Sequence, residues 1–321
     1  MPKPLPVASV PFLASIAAPL QTAGSPVTRH LEACGLPGGV LDVRDGLVSE
    51  LALWDFEECA ARKEGFEHLG YVASTDLIEA GTLCGHRLPF ARTVGELLCE
   101  FAKWITSHSN YAAHSVQFTA SGAWYNFDNR RLTISLPWQV EQYIIGMITA
   151  LVRTASPDWK PARLRLTNPK PWHQVPKDWE NAKTDWDARL TGVFLSNDTM
   201  STPVVLPLHG DAIVSPDACA SDAFEHVLKS HVLGGNASLD AVAHSFRMSP
   251  RTLQRLLAAK GGRFRSLKSV VSMRIARDLL YNHNQTVKEV SYRLGYSSVA
   301  DFSKAYKRHY GVSPSLDRIS G

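Results

Sequence analysis

Cysteines are few in this 321-residue sequence, and none of the five stands in a pattern that binds a metal or builds a disulfide framework. No C-x-x-C pair occurs, and no histidine stands at the spacing of a shared zinc site. An odd number of scattered cysteines is typical of reduced thiols in a cytoplasmic protein. We therefore predict a cytoplasmic protein without a metal site, whose cysteines are Cys34, Cys59, Cys84, Cys99 and Cys219.

Signatures of common catalytic centres are missing as well. The sequence contains no G-x-S-x-G, S-x-x-K, Walker A, G-x-G-x-x-G or H-E-x-x-H motif. The histidine pairs His108/His114 and His226/His231 have spacings that do not place both rings on one face of a helix. These absences predict a protein that is not an enzyme, with no catalytic residues and no cofactor.

Long apolar runs are also absent. None reaches the roughly 18–20 uninterrupted residues that a membrane span requires. The apolar start from Pro4 to Leu20 is broken by prolines and is preceded by a single cation, Lys3, which is unlike a secretory signal. We expect neither a membrane-spanning segment nor export.

Tryptophan and acidic residues are scarce in the last hundred residues. Residues 221–321 hold 16 Lys/Arg, 7 Asp/Glu and no Trp, a net charge of +9, whereas residues 1–220 hold 18 Lys/Arg, 23 Asp/Glu and all eight Trp, a net charge of −5. A chain of this length usually forms two domains, and the two parts differ in composition. The charge asymmetry predicts a polyanionic partner for the C-terminal part alone.

Hydrophobic periodicity predicts an α+β domain over residues 1–205. Helical spacing runs from about Ser49 to Lys63 and from Gln139 to Arg153, and Thr93 with Glu96 forms a capping box ahead of another helix. Period-two alternation predicts strands near Val116–Phe118, Trp124–Phe127, Leu132–Leu136, Leu164–Leu166 and Gly192–Leu195. Prolines and glycines predict a linker over residues 206–222, followed by an all-α domain over residues 223–321.

The strongest feature is an internal repeat within the all-α part. Leu239–Ala243 and Val287–Ser291 predict short helices, and each is followed by a turn and by a second helix that ends at a glycine. The small residues Ala243 and Ser291 would let the two helices of each unit cross closely. The repeat predicts two helix-turn-helix units.

Local chemistry supports both units. Ser249 and Ser297 are candidates to cap the second helices, and Leu253 and Phe302 would anchor the buried sides of those helices. Between the units, apolar residues at helical spacing predict a connecting helix; they are Phe264, Leu267, Val271, Ile275 and Leu279. A rigid connection would hold the second helices about one DNA turn (~34 Å) apart, so that one chain reads two successive major grooves.

The second helix of each unit would enter a major groove of double-stranded DNA, where Arg reads guanine and Gln reads adenine. We expect Arg251, Gln254 and Arg255 to read bases, and Lys304, Lys307 and Arg308 to contact phosphates. The complete set of predicted DNA-binding residues is Arg251, Thr252, Gln254, Arg255, Ser298, Val299, Ala300, Ser303, Lys304, Lys307 and Arg308.

The residues from Ala237 to Arg318 resemble the DNA-binding module of the AraC/XylS family of transcription regulators. The matching pieces are Ser249–Arg255, Ala276–Leu280, Leu294–Tyr296, Phe302–Tyr306 and Gly311–Pro314. The chain departs from the family pattern at Lys304, where Arg is usual, at Ser291, where Ala is usual, and at Ser272. The resemblance implies promoter DNA and RNA polymerase as partners.

Residues 1–205 resemble, more diffusely, the arabinose-binding type of N-terminal domain found in one branch of that family. The likeness rests on Gly35-Leu36, Ala162–Leu166, Phe194-Leu195, Met200 and Pro203-Val204. It implies a domain that senses a small-molecule effector, forms a homodimer, or does both. Trp124, Tyr125 and Trp138 are candidate effector-binding residues, although aromatic residues on a hairpin are more often plain core.

Two alternatives stay open. One is an effector-independent regulator whose N-terminal domain only dimerises. The other is an enzyme or ligand carrier whose basic C-terminal part binds nucleic acid loosely, which the missing catalytic motifs disfavour.

Overall fold

The computed structural model describes residues 5–43, 45–79, 91–111, 113–129, 135–171, 174–204, 223–283 and 285–320. The predicted linker over residues 206–222 lies outside these ranges, as do residues 132–134 of the strand predicted from Leu132 to Leu136. Leu136 itself is described and is buried, but it does not belong to a strand.

The first part of the chain combines helices with two sheets. Its helices are α1 (Val10–Thr22), α2 (Val27–Ala33), α3 (Glu50–Glu64), α4 (Leu69–Glu79), α5 (Val94–Trp104), α6 (Trp138–Arg153) and α7 (Asn197–Ser201). Its strands are β1 (Val7–Ser9), β2 (Leu47–Ser49), β3 (Ala113–Thr119), β4 (Gly122–Asp128), β5 (Arg163–Arg165), β6 (Lys183–Asp185) and β7 (Thr191–Ser196).

The larger sheet has five strands in the order β3-β4-β7-β5-β6, and only the β5–β6 pair is parallel. Helix α6 packs against it and is tied to it by Glu141, which is fully buried. The Glu141 carboxylate accepts hydrogen bonds from Thr167, Asn168 and Thr191. The main core lies between this sheet and helices α1 and α3–α6.

The second part of the chain is helical throughout the described residues. Its helices are α8 (Ala223–Leu233), α9 (Leu239–Ser245), α10 (Pro250–Ala259), α11 (Phe264–Tyr281), α12 (Val287–Arg293), α13 (Val299–Tyr310) and α14 (Pro314–Ser320). This arrangement confirms the predicted fold class of an α+β part followed by an all-α part with two helix-turn-helix motifs joined by a connecting helix, α11.

The two parts share a packed boundary. β1 and β2 form a two-stranded antiparallel sheet, and its residues Val7 and Leu47 are buried in the apolar cluster of the helical part. The backbone N–H of Gly39 donates to the carbonyl of Gly234 at 3.2 Å, directly after α8. The helical part is therefore docked against the first part by apolar contacts as well as by polar ones.

Within the described ranges, none of the helices combines the length and the apolar character that crossing a lipid bilayer would require. The same residues contain no group of three or more His, Cys, Asp or Glu side chains that could hold a metal ion.

Candidate nucleic-acid interface

Both predicted units have the geometry of a helix-turn-helix. Helices α9 and α10 form the first unit, and α12 and α13 form the second. The small residues Ala243 and Ser291 are fully buried at the helix crossings, as the repeat predicted. Leu253 and Phe302 are also fully buried, so the second helix of each unit is anchored on its inner side.

Serine caps begin both of these second helices. The Ser249 hydroxyl accepts from the Thr252 backbone N–H at 3.2 Å, as predicted. In the second unit the prediction of Ser297 was wrong by one residue, because the hydroxyl that accepts from the Asp301 N–H, at 3.1 Å, belongs to Ser298. Helix α13 therefore begins at Val299, and the Ser298 side chain stabilises the N-terminus of this helix.

The outer face of α10 is polar and open. Arg251, Gln254 and Arg255 are exposed, whereas Thr252 is half-buried and its hydroxyl is 2.9 Å from that of Ser249. The three exposed side chains project from the first two turns of the helix, which are the turns that meet base edges when a recognition helix enters a major groove. The predicted base-reading set is thus on one accessible surface.

The outer face of α13 has a different character. Ala300, Lys304, Lys307 and Arg308 are exposed, and Val299 and Ser303 are half-buried. Asp301 is exposed on the first turn, and the hydrogen bond from Ser298 holds the pKa of its carboxyl below the ordinary range. A carboxylate at this end repels phosphate, so cationic contacts from α13 would come from its later turns.

The cations of the two outer faces are available to a ligand. Among the described residues, no acidic side chain lies within ion-pair distance of the five cations Arg251, Arg255, Lys304, Lys307 and Arg308. Two other cations of the helical part are engaged within the protein: Lys229 pairs with Asp45 and Arg274 pairs with Glu225. None of these five cations of the two outer faces is engaged in an ion pair within the described residues, so all five are open to an anionic ligand.

Comparisons with known proteins agree with this geometry. Residues 242–318 match a family described as a helix-turn-helix domain. Over 74 residues the chain is 51% identical to an uncharacterized HTH-type transcriptional regulator of Mycobacterium tuberculosis, a match that covers 23% of this chain and 22% of that protein. Over 81 residues it is 38% identical to the urease operon transcriptional activator of Escherichia coli, which covers 25% of this chain and 27% of that protein. Residues 242–318 are an AraC-type helix-turn-helix domain.

The chain spans only 22% and 27% of the length of these two relatives, so the similarity concerns the AraC-type domain alone. The relatives are transcription regulators, in agreement with the prediction that the chain is not an enzyme. Among solved structures, the transcriptional regulator CdpR from Pseudomonas aeruginosa aligns over 81% of this chain and 90% of that chain, with 19% identity and a TM-score of 0.30, an overlap too loose to equate the two folds. The arabinose-binding likeness of residues 1–205 stays a prediction.

One residue of the AraC-type domain that sequence reasoning missed is Arg247, in the turn of the first unit. Its φ is +51°, in the left-handed region, and the corresponding residue of the second unit is Gly295, with φ +76°. Arg247 forms a two-bonded ion pair with Asp55 of α3, at 2.6 and 2.9 Å. In the repeat, which has an offset of 48 residues, Arg247 corresponds to Gly295. An arginine where the other copy has a glycine was therefore a sequence signal that Arg247 has a special role.

A second feature that sequence reasoning missed is a set of hydrogen bonds that holds the buried side of α13 in place. The Tyr306 hydroxyl donates to Asp317 Oδ2 at 2.6 Å, and the Tyr281 hydroxyl donates to the Asp317 carbonyl at 2.6 Å. Hydrogen bonding from Tyr306 holds the pKa of the Asp317 carboxyl below its ordinary range. Asp317 on α14 therefore ties α13 to the connecting helix of the AraC-type domain.

The three predicted effector-binding residues do not meet at one place. Trp124 is buried beside Phe194 with the Arg165 guanidinium 3.8 Å from its ring centre, whereas Tyr125 hydrogen-bonds His114 at 2.9 Å. Trp138 is half-buried, and its ring packs edge-on against that of Trp179. No ring contact among the described residues joins any two of the three. Trp124 and Tyr125 are neighbours in β4 and point to opposite faces of the sheet, whereas Trp138 begins α6.

Proposed function

We propose that this protein is a sequence-specific transcription regulator that binds promoter DNA through its AraC-type domain. In this proposal α10 and α13 occupy two successive major grooves, and a small molecule bound in the first part of the chain controls the affinity for DNA. The observation that carries the proposal is the pair of second helices, each with unpaired cations on its outer face, joined by one continuous helix.

The connecting helix supports reading of two grooves. α11 has 18 residues, and at 1.5 Å per residue it is about 27 Å long. It is packed into the domain, since Met273 and Ala276 are fully buried and α11 contacts α8, α12, α13 and α14. A helix packed in this way would keep the two recognition helices at a fixed separation, comparable to the ~34 Å that separates successive major grooves on one face of DNA.

The side chains suggest different roles for the two units. Arg251, Gln254 and Arg255 of α10 have the chemistry to read guanine and adenine edges. Helix α13 offers the apolar Val299 and Ala300 near its start and Lys304, Lys307 and Arg308 along its later turns, which suits thymine methyls and phosphates. We therefore assign most of the base discrimination to α10 and a larger share of the electrostatic attraction to α13.

Control by an effector is supported by the docked boundary between the two parts. An effector changes DNA affinity only if it binds one arrangement of the protein better than another. The ion pair between Arg247 and Asp55 joins the turn of the first unit to the first part of the chain, and so gives the two parts a direct connection. RNA polymerase contact and homodimer formation belong to the same proposal.

The test is to map the DNA sites that the full chain occupies in its host and then to footprint one of them in vitro. We expect hydroxyl-radical protection of two patches on one face of the duplex, centred about one helical turn (~34 Å) apart. Protection of a single groove would refute the two-groove arrangement. Binding without any sequence preference would refute the assignment as a specific regulator.

A further inference from the structure

A cavity of about 60 Å³ lies in the core of the first part of the chain, between α1, α3, α6 and β4. Apolar and aromatic side chains form most of its wall, among them Phe12, Trp54, Phe127, Ile144 and Met147. A buried water needs on the order of 10–15 Å³ of such space. The cavity therefore has room for about four to six water-sized groups, which corresponds to a small ligand.

Two acidic side chains of α3 line this apolar cavity. Glu50 and Glu57 are 5% and 1% exposed, and their spacing of seven residues places them on one face of the helix. Glu50 Oε2 accepts a hydrogen bond from Ser109 at 2.9 Å. Glu57 Oε1 is buried and has no hydrogen-bond partner among the described residues.

No cation among the described residues compensates these carboxyls. Within the part of the chain that the structure describes, neither Glu50 nor Glu57 lies within ion-pair distance of a lysine, arginine or histidine. His114 also lines the cavity, but burial lowers its pKa to about 3, so it is neutral. Burial raises the pKa of Glu50 to about 7 and that of Glu57 well above the ordinary range.

A buried carboxyl without a cationic partner is costly in its ionised form. Proteins usually keep such a group only where something pairs with it. An apolar chamber with two such groups at one wall suits a molecule that has a positive charge at one end and a short hydrocarbon body. We propose that the cavity is the effector site and that it binds a small organic monocation, a primary amine or a guanidinium compound, paired with Glu57 and Glu50.

The effector role rests on the proposed function. Helix α3 connects the cavity to the first helix-turn-helix unit, which is proposed to bind DNA. Asp55, which pairs with Arg247 of the first helix-turn-helix unit, lies on the same helix between the two cavity carboxyls. Residues Glu50 and Glu57 face the cavity, whereas Asp55 is 39% exposed and faces the AraC-type domain. Occupation of the cavity therefore acts on the helix that holds the turn of the first unit.

The binding test uses the full chain and four probes of similar size: n-butylamine, ethylguanidine, 1-butanol and butyrate. Trp54 on the cavity wall reports binding by fluorescence, and thermal unfolding reports it independently. We expect n-butylamine to bind and to raise the unfolding temperature, with weaker effects from the alcohol and none from the anion. Equal or stronger effects of butanol or butyrate, or no effect of either n-butylamine or ethylguanidine, would overturn the proposal.

Variants locate the site. Glu57→Gln and Glu50→Gln keep the shape of a protonated carboxyl and so should fold, but each should weaken n-butylamine binding about 10-fold or more, the equivalent of ~1.4 kcal/mol. Glu32→Gln removes an exposed carboxyl of α2 and serves as the matched control, with unchanged binding. If both cavity variants bind n-butylamine as tightly as the parent chain, the amine does not sit at these carboxyls and the assignment is wrong.

DNA binding is measured separately on a mapped site, so that the two proposals fail in different ways. We expect n-butylamine to change the affinity of the parent chain for DNA and to lose this effect in Asp55→Asn. Amine binding without any specific DNA binding would refute the proposed function and leave the cavity site intact. Specific DNA binding that n-butylamine does not alter would refute the effector role of the cavity.

Discussion

The guanidinium of Arg247 and the carboxylate of Asp55 face each other across the boundary between the two parts of the chain, with Nη2 2.6 Å from Oδ1 and Nε 2.9 Å from Oδ2. The two residues are 192 positions apart in sequence. The two parallel hydrogen bonds fix the orientation of the guanidinium as well as its distance. The turn of the first helix-turn-helix unit is thus held in one orientation by a helix of the other part.

Breaking the Arg247–Asp55 ion pair should loosen the packing of the two parts against each other more than it lowers the free energy of unfolding. Arg247 and Asp55 are 36% and 39% exposed, so Asp55→Asn should lower the free energy of unfolding by only about 0.2–1 kcal/mol. Protease cleavage between the two parts should nevertheless accelerate, because the contact that orients them is lost. Chemical denaturation and limited proteolysis measure the two effects. Arg274→Ala, which breaks the exposed pair with Glu225 inside the helical part, is the control and should leave cleavage unchanged.

Glycine at position 35 should be required for the same boundary. Gly35 has φ +78°, and a Cβ there would lie 2.8 Å from the backbone nitrogen of Ser245 in α9. Gly24 has φ +75° with nothing within 4 Å of its Cβ position, so Gly24→Ala has the same backbone strain without the clash. We expect Gly35→Ala to destabilise the chain by about 1–3 kcal/mol more than Gly24→Ala does. Equal losses in the two variants, measured by denaturant unfolding, would show that α9 does not press against Gly35.

Arg255 should contribute to base discrimination. It is exposed on the outer face of α10, and Arg255→Ala should weaken binding to a mapped site by about 1–3 kcal/mol and relax the base preference at one position. Competition binding against sites substituted one base at a time measures both effects. If the variant loses the same affinity on every sequence, including random DNA, Arg255 contacts phosphate rather than a base.

Lys307 should contribute to the affinity for DNA of any sequence and not to base discrimination. It lies exposed near the end of α13, where a lysine meets phosphates as a point charge. Lys307→Ala should weaken specific and random DNA alike and reduce the slope of log affinity against log salt by about 1. Titrations at several salt concentrations test this, with Lys260→Ala, an exposed lysine just beyond α10, as the control. A normal slope together with a changed base preference would contradict the assignment.

Local sequence patterns predicted much of the helical structure. The helix predicted from Gln139 to Arg153 is α6, Trp138–Arg153, and Thr93 caps α5 by accepting from the Glu96 N–H at 3.2 Å. Such features depend on residues within a few positions of one another, so that one sequence suffices to find them. The repeat added a second copy against which each position of the first could be checked.

Contacts between distant segments were not predictable in the same way. Asp55 has no local feature that marks it as the partner of Arg247, and the two cavity carboxyls lie in a stretch of α3 that also carries the acidic residues Asp55 and Glu58. Only the fold shows which of these acids are buried. Trp124, Tyr125 and Trp138 were predicted from residue type, and the structure does not bring them together. Residue type alone does not reveal which face of a strand a side chain occupies.

Glu50 should give the stability of the protein a distinctive pH dependence. Its pKa is about 7 in the folded chain, against an ordinary value of 4.5, and burial is the largest cause. Between these values the unfolded chain has released a proton that the folded chain still holds. The free energy of unfolding therefore contains a contribution from Glu50 that is complete below pH 4.5 and is lost as the pH rises to about 7.

Glu50→Gln isolates this contribution, because the amide can still accept from Ser109 but does not titrate. The buried histidines His108, His114 and His231 have lowered pKa values and add an opposite slope, but they are common to both chains and cancel in the difference. The stability of the variant relative to the parent should rise with pH across the window by up to about 1.4 kcal/mol per pH unit. Denaturant unfolding at a series of pH values gives the difference directly, with Glu32→Gln as the surface control. Parallel curves for parent and Glu50→Gln would mean that Glu50 titrates alike in the folded and unfolded chains. This result would contradict the burial of Glu50 against Ser109 in the cavity wall.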